Sequence, residues 1–201
     1  MHQRHQMTGV ILSGGKSLRM GEDKAFLKIE GVPIIRRIST LFNALFQETI
    51  IVTNREEFYE ELGIRTFPDI IPNMGALGGL YTGLTCSTFY YVFCVACDMP
   101  FIKQSLVSYL IQEKEGYDVV VPRTKDGFEP LHAVYSKACI PPTRQLLVEG
   151  CYKILDLYPL VKVKTIECSE MARLDPKGES FINVNTPEEL QRIRSEKHPI
   201  E

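Results

Sequence analysis

No run of apolar residues in this chain comes near the roughly 20 that a membrane-spanning helix requires, so no span and no membrane partner are expected. An excess of one charge is also missing: 23 lysines and arginines stand against 25 aspartates and glutamates, for a formal net charge of −2. That balance argues against a protein that coats nucleic acid, whose affinity rests on a large cationic surface. Internal repeats, low-complexity tracts and linkers are absent. The 201 residues, 44% of them hydrophobic, suit a single domain over 1–201 with a sizeable core. The opening Met1-His2-Gln3-Arg4-His5-Gln6 has no apolar centre and does not read as a signal peptide. Residues 1–7 are expected to be a frayed extension whose two histidines bind nothing.

A disulfide framework is lacking as well. Six cysteines, at 86, 94, 97, 139, 151 and 168, are scattered along the chain, which points to reduced thiols and a cytoplasmic protein. Cys94-x-x-Cys97 has the spacing of a metal or redox pair, but it closes the apolar run that starts at Tyr90. Side chains on a strand alternate, so an odd offset sends the two sulfurs to opposite faces. With no second pair nearby, core packing is expected and a zinc site is not.

What the chain does have is concentrated in Leu12-Ser13-Gly14-Gly15-Lys16-Ser17-Leu18-Arg19-Met20-Gly21-Glu22-Asp23-Lys24. Thr8–Leu12 before it is a short apolar run, consistent with a buried strand. Adjacent glycines then let the backbone turn with its N–H groups bare, a concavity suited to an anion. Lys16, Arg19 and Lys24 suit it to a highly charged one such as a triphosphate. The P-loop does not fit, because it needs glycine five places before Gly15 and Val10 stands there. The dinucleotide fingerprint fails too, since these glycines are adjacent. The plainer alternative is a strand-to-helix turn with a solvated basic face.

Downstream, apolar spacing predicts a helix from Pro33 through Phe46 and a strand over Thr49–Val52. Strand, helix and strand at that interval indicate a βαβ unit and a parallel sheet. Ligands on such sheets sit beyond the carboxyl ends of the strands. A short helix over 56–62 and a short strand over 65–67 follow. Pro72 to Leu80 reads as a glycine-rich loop entering a helix that ends near Ser87, where Gly75, Gly78, Gly79 and Gly83 make room either for a ligand or for the sheet. Strands are predicted over 90–95, 117–122 and 131–135, the last antiparallel after the Asp126-Gly127 turn. A helix over 142–157 is interrupted at Glu149-Gly150, and 161–166 alternates like an edge strand. His132 is taken as a packing residue and left out of the catalytic set.

Two carboxylates and two amides stand out. Asp98 follows the most hydrophobic strand, where a rigidly held oxygen could bind magnesium beside substrate phosphates; its alternative is to cap the helix near Gln104. Asp69 stands in a loop, where an aspartate is a helix cap or a solvated charge. Asn183 and Asn185, as neutral amides, could hydrogen-bond a ligand or could serve turn chemistry before Thr186-Pro187-Glu188-Glu189, a capping-box sequence.

The opening loop, L-x-G-G-x-S-x-R-M-G-x-D-K, resembles the signature of the nucleotidyltransferases that guanylylate the molybdenum cofactor. C-D-x-P-F at 97–101, G-x-L-x-G at 75–79, P-L-x-A-V-Y at 130–135 and N-V-N-T-P-E-E-L at 183–190 resemble further segments of that family, in the same order. Ser13 departs from the alanine common in the wider superfamily. The resemblance implies a three-layer αβα, Rossmann-like domain with a mostly parallel sheet and an antiparallel element. It implies transfer of GMP from GTP to molybdenum-molybdopterin, with pyrophosphate released, in a monomer that meets other cofactor-biosynthesis proteins transiently. Arg19, Lys24 and Asp98 become the catalytic candidates, with Asp98 holding Mg2+. Leu12, Ser13, Gly14, Gly15, Lys24, Asp69, Gly75, Leu77 and Asp98 become the nucleotide-binding ones, and Asn183 and Asn185 the molybdopterin contacts. A cytidylyl or sugar-phosphate nucleotidyltransferase, or a non-catalytic nucleotide-binding module, is the alternative.

Overall fold

In the computed structural model, residues 4–14, 24–186, 188 and 189 are described. The strands and helices in chain order are β1 (His5–Leu12), β2 (Lys28–Ile29), β3 (Val32–Pro33), α1 (Ile34–Leu45), β4 (Phe46–Val52), β5 (Arg65–Phe67), α2 (Gly75–Cys86) and β6 (Tyr91–Ala96). They continue as α3 (Gln104–Gln112), β7 (Val119–Thr124), β8 (Gly127–Phe128), β9 (His132–Ser136), α4 (Ile140–Val148), β10 (Val163–Glu167) and α5 (Cys168–Met171). The main sheet has the order β10-β7-β9-β6-β1-β4-β5, with β8 added on β7. Its pairs β1·β4, β1·β6, β4·β5 and β7·β10 are parallel, while β9 runs against both of its neighbours. The expected three-layer α/β architecture is therefore present, its antiparallel element being β9 with the β7–β8 hairpin.

The two-residue period of the strands builds both cores at once. Ile11, Ile51, Phe93, Val95, Val120 and Val134 face the layer of α1 and α3. Their neighbours Val10, Leu12, Ile50, Val52, Val92, Cys94, Val119, Val121, Ala133 and Tyr135 face α2 and α4. Cys94 and Cys97 fall on opposite sides by the same rule, Cys94 in the second core and Cys97 packed on the first. Glycines set the spacing between layers. A Cβ on Gly83 would lie 2.6 Å from Val10 Cγ1, and one on Gly79 3.3 Å from Leu12 Cδ1. Those two glycines of α2 thus serve the close approach of helix to sheet rather than a ligand. Among the described residues no helix is long and apolar enough to cross a membrane.

Three expectations need correction. Residues 5–7 are not frayed: β1 begins at His5, which pairs with Phe46, and Met7 is buried in the core. The strand after α1 starts at Phe46 rather than Thr49, because the chain passes from helix to strand with no loop between. The 56–62 segment is two 3₁₀ turns, Glu56–Phe58 and Glu60–Leu62, separated at Tyr59. After the 3₁₀ turn Glu179–Phe181, residues 182–185 belong to no helix or strand.

Candidate active site

Register places the candidates together. Leu12 of β1 is level with Val52 of β4 and Ala96 of β6, and Val52 with Phe67 of β5. Two residues beyond those four ends stand Gly14, Asn54, Asp98 and Asp69. The ladder runs one step further to fix them: Ser13 N–H donates to the Val52 carbonyl at 2.8 Å, Thr53 N–H to Phe67 at 2.9 Å, and Cys97 N–H to Leu12 at 3.0 Å. Four loop residues are thus carried on one sheet rim by neighbouring parallel strands, the edge at which α/β sheets hold ligands.

On that rim Gly14 is exposed, and a Cβ there would meet nothing within 4 Å among the described residues. Ser13 is buried, and its hydroxyl shares a hydrogen bond with the Tyr59 hydroxyl. Residues 15–23, including Gly15, Lys16 and Arg19, lie outside the described residues. The chain returns at Lys24, whose ammonium donates to Asn185 Oδ1.

Asp98 does not cap α3, whose N-cap is Lys103. Its Oδ1 is buried and accepts no hydrogen bond among the described residues. Burial pushes its carboxyl above the ordinary range, the Lys24 charge pulls the other way, and Glu189 adds to the rise. A desolvated carboxylate with an empty lone pair is costly unless a cation meets it. Magnesium, which takes hard oxygens and few protein ligands, fits such an oxygen at the phosphate edge.

Asp69 and Asn54 face each other across the β4–β5 pair: Asn54 Nδ2 donates to Asp69 Oδ2 at 2.8 Å, and Asp69 N–H to Asn54 Oδ1 at 2.9 Å. This reciprocal bracket holds one acceptor-rich and one mixed group at the rim, a surface able to meet a base or ribose. Asp69 is not a helix cap, since α2 begins only at Gly75, after Asn73 and with Gly75 itself at positive φ. Ile70 N–H donates to Thr82 Oγ1 at 3.0 Å, which ties that loop to the buried face of α2. Two nucleotide-binding candidates turn out differently from a side-chain contact: Leu12 and Leu77 are buried in the α2-side core. Only their backbone could touch a ligand, and for Leu77 that means an N–H of the first helical turn.

Asn183 and Asn185 are exposed on either side of fully buried Val184, whose N–H donates to the Asp98 carbonyl at 2.8 Å. Both asparagines are thus exposed beside Asp98. The capping sequence is shifted by one residue. Glu189 N–H donates to Thr186 Oγ1 at 3.1 Å, but the Glu189 carboxylate accepts from Asn185 N–H at 2.8 Å; Pro187 lies outside the described residues. His132 is fully buried, edge-on to Phe93 and Phe181 at 5.3 and 5.2 Å. It packs, as expected. Asn54 was legible only through its offset from the strand end, the same two residues that mark Gly14, Asp69 and Asp98.

Residues 9–163 match the family model described as the MobA-like NTP transferase domain. A protein of Pelotomaculum thermopropionicum named "Probable molybdenum cofactor guanylyltransferase" is 42% identical over 189 residues, covering 94% of this chain and 92% of that protein. A "Molybdenum cofactor guanylyltransferase" of Desulfosudis oleivorans is 36% identical, covering 94% of this chain and 95% of that one. Among solved structures, molybdopterin-guanine dinucleotide biosynthesis protein A of Archaeoglobus fulgidus superposes with a TM-score of 0.79 at 28% identity, over 94% of this chain and all of that one.

Proposed function

Since the chain belongs to the MobA-like NTP transferase family, we propose that it is a molybdenum cofactor guanylyltransferase. It transfers GMP from GTP to molybdenum-molybdopterin, making the guanine dinucleotide form of the cofactor and releasing pyrophosphate. The names of its relatives supply the substrates. The observation in this chain that supports the chemistry is the buried oxygen of Asp98, without a partner among the described residues, beside Lys24 on the rim that carries Gly14.

The reaction joins two anions, so the protein's task is positioning and charge compensation rather than proton transfer. The acceptor phosphate is already ionised at neutral pH and needs no general base. Ser13 N–H is taken by the Val52 carbonyl, so among the described residues of the loop it is Gly14 whose backbone is left to meet the nucleotide phosphates. Lys24 and Arg19 offset the charge that builds on the departing pyrophosphate. Asn54, Asp69 and the first turn of α2 hold the nucleoside, and Asn183 and Asn185 face the pterin. Asp98 would hold Mg2+, which would supply neutralisation of phosphate charge and polarisation of the phosphoryl oxygens. Asp98 must be ionised for that role, and Lys24 favours the ionised form against burial. Six free cysteines accord with a cytoplasmic setting.

The test is to incubate the protein with molybdenum-molybdopterin, Mg2+ and each nucleoside triphosphate in turn while measuring pyrophosphate. Release with GTP alone is expected. Release with CTP and none with GTP would move the chain to the cytidylyl branch, and nucleotide binding without release would make it a binding module.

A further inference from the structure

Resting on that reading of the site, we propose that Glu189 is a positioning residue that, through Asn185, aims the Lys24 ammonium at the nucleotide phosphates. Three contacts on one short segment carry the idea. Lys24 donates to Asn185 Oδ1. The backbone N–H of Asn185 donates to Glu189 Oε2 at 2.8 Å. The neighbouring Val184 N–H donates to the Asp98 carbonyl at 2.8 Å, with the Val184 side chain fully buried. In an ordinary capping box the glutamate turns back to the N–H of the cap residue itself. Here the cap hydroxyl is that of Thr186, yet the carboxylate passes it to take the N–H of Asn185. That one-residue shift fixes the residue whose side chain holds the lysine.

The chemistry of the holder matters as much as its place. A carboxylate at 185 would neutralise Lys24 and compete with phosphate for it. A neutral amide oxygen takes one of the three ammonium N–H groups and leaves the charge and two donors for a polyanion. Lys24 otherwise stands at the end of a long, rotamer-rich side chain, whose freedom would have to be lost on each binding event. Glu189 and Asn185 impose that order beforehand. The same chain joins the asparagines on the acceptor side to the cation on the nucleotide side.

A double-mutant cycle read by calorimetry with Mg2+ and GTP tests this, because it needs no acceptor. Glu189→Ala is expected to weaken Mg·GTP binding about fivefold in the wild-type background and not at all in a Lys24→Ala background. Glu189→Gln, which keeps an acceptor oxygen in the same shape, is expected to restore most of the affinity; if the alanine variant does not fold, Asn185→Ala in the same two backgrounds is the perturbation, with the same coupling to Lys24 expected. An equal loss in both backgrounds, or no loss in either, would overturn the proposal. If the protein prefers CTP, the guanylyl reading falls while the same cycle run with Mg·CTP still decides the role of Glu189. If it binds no nucleotide, both fall.

Discussion

Replacing His132 with leucine should change how the protein tolerates acid. His132 is fully buried between Phe93 and Phe181, and neither ring nitrogen has a hydrogen-bond partner among the described residues. Burial holds its imidazole down to about 4 from an ordinary 6.5, with the Asp175 charge opposing only weakly. The unfolded chain therefore takes up a proton as pH falls through 6.5, and the folded chain refuses it until about 4. Stability contributed by the neutral histidine is intact above the upper value and is lost across that window. The full loss is about 3 kcal/mol, and by linkage about 2 kcal/mol of it has gone at a pH of roughly 5. Leucine has no proton to exchange and leaves no unpaired nitrogen in the core. Urea unfolding at roughly pH 7.5 and pH 5, followed by far-ultraviolet circular dichroism because the chain has no tryptophan, measures the difference. With a slope of about 2 kcal/mol per molar, the midpoint of His132→Leu should gain about 1 M on the wild type between the two pH values. A gap that stays constant with pH would refute the assignment of a neutral, proton-refusing histidine.

Other perturbations separate fold from chemistry. Asp98→Asn should lower guanylyl transfer at least about a hundredfold, as loss of a charge-stabilising contact does, yet melt no lower than wild type, because it removes a carboxylate that burial disfavours; thermal melts alongside turnover check both halves. Gly83→Ala should lower Tm by about 4 °C, since its Cβ meets Val10 Cγ1 at 2.6 Å and overpacking outweighs the helix-propensity gain. Gly14→Ala meets nothing within 4 Å, so Tm should hold while Mg·GTP affinity, read by calorimetry, falls. Glu48 accepts hydrogen bonds from Thr8 and Thr88 and pairs with Arg65; burial raises its carboxyl, but these partners together hold it below its usual range. That stabilisation is complete above the unfolded value and disappears as pH falls through the folded one, so Glu48→Gln should flatten the acid limb of the stability–pH curve.

Much of this arrangement is legible in local pattern. Two-residue alternation assigns Ile11 and Val10 to different cores, and it also separates Cys94 from Cys97. Helical spacing finds α1, and the glycine-flanked start of α2 is visible in Gly75. What escaped local pattern depends on partners distant in sequence. His5 to Met7 look like a polar leader until Phe46 supplies a strand to pair with. Phe46 itself continues the apolar spacing of α1 and only the sheet converts it to β4. Leu12 and Leu77 lie inside site motifs, yet the core claims their side chains. Asn54 carries no motif of its own. Its role emerges only when β4 is laid beside β5, which brings it to Asp69.

The central claim is that a nucleoside triphosphate and a divalent ion share the rim defined by Gly14, Lys24, Asp69 and Asp98. A crystal structure with GTP and Mg2+ tests it most directly. Polyphosphate density is expected against the backbone at Gly14 and Lys24, with a metal on the buried oxygen of Asp98 and the nucleoside beside Asn54 and Asp69. Nucleotide density bound elsewhere on the molecule, with Asp98 Oδ1 still without a partner, would contradict it.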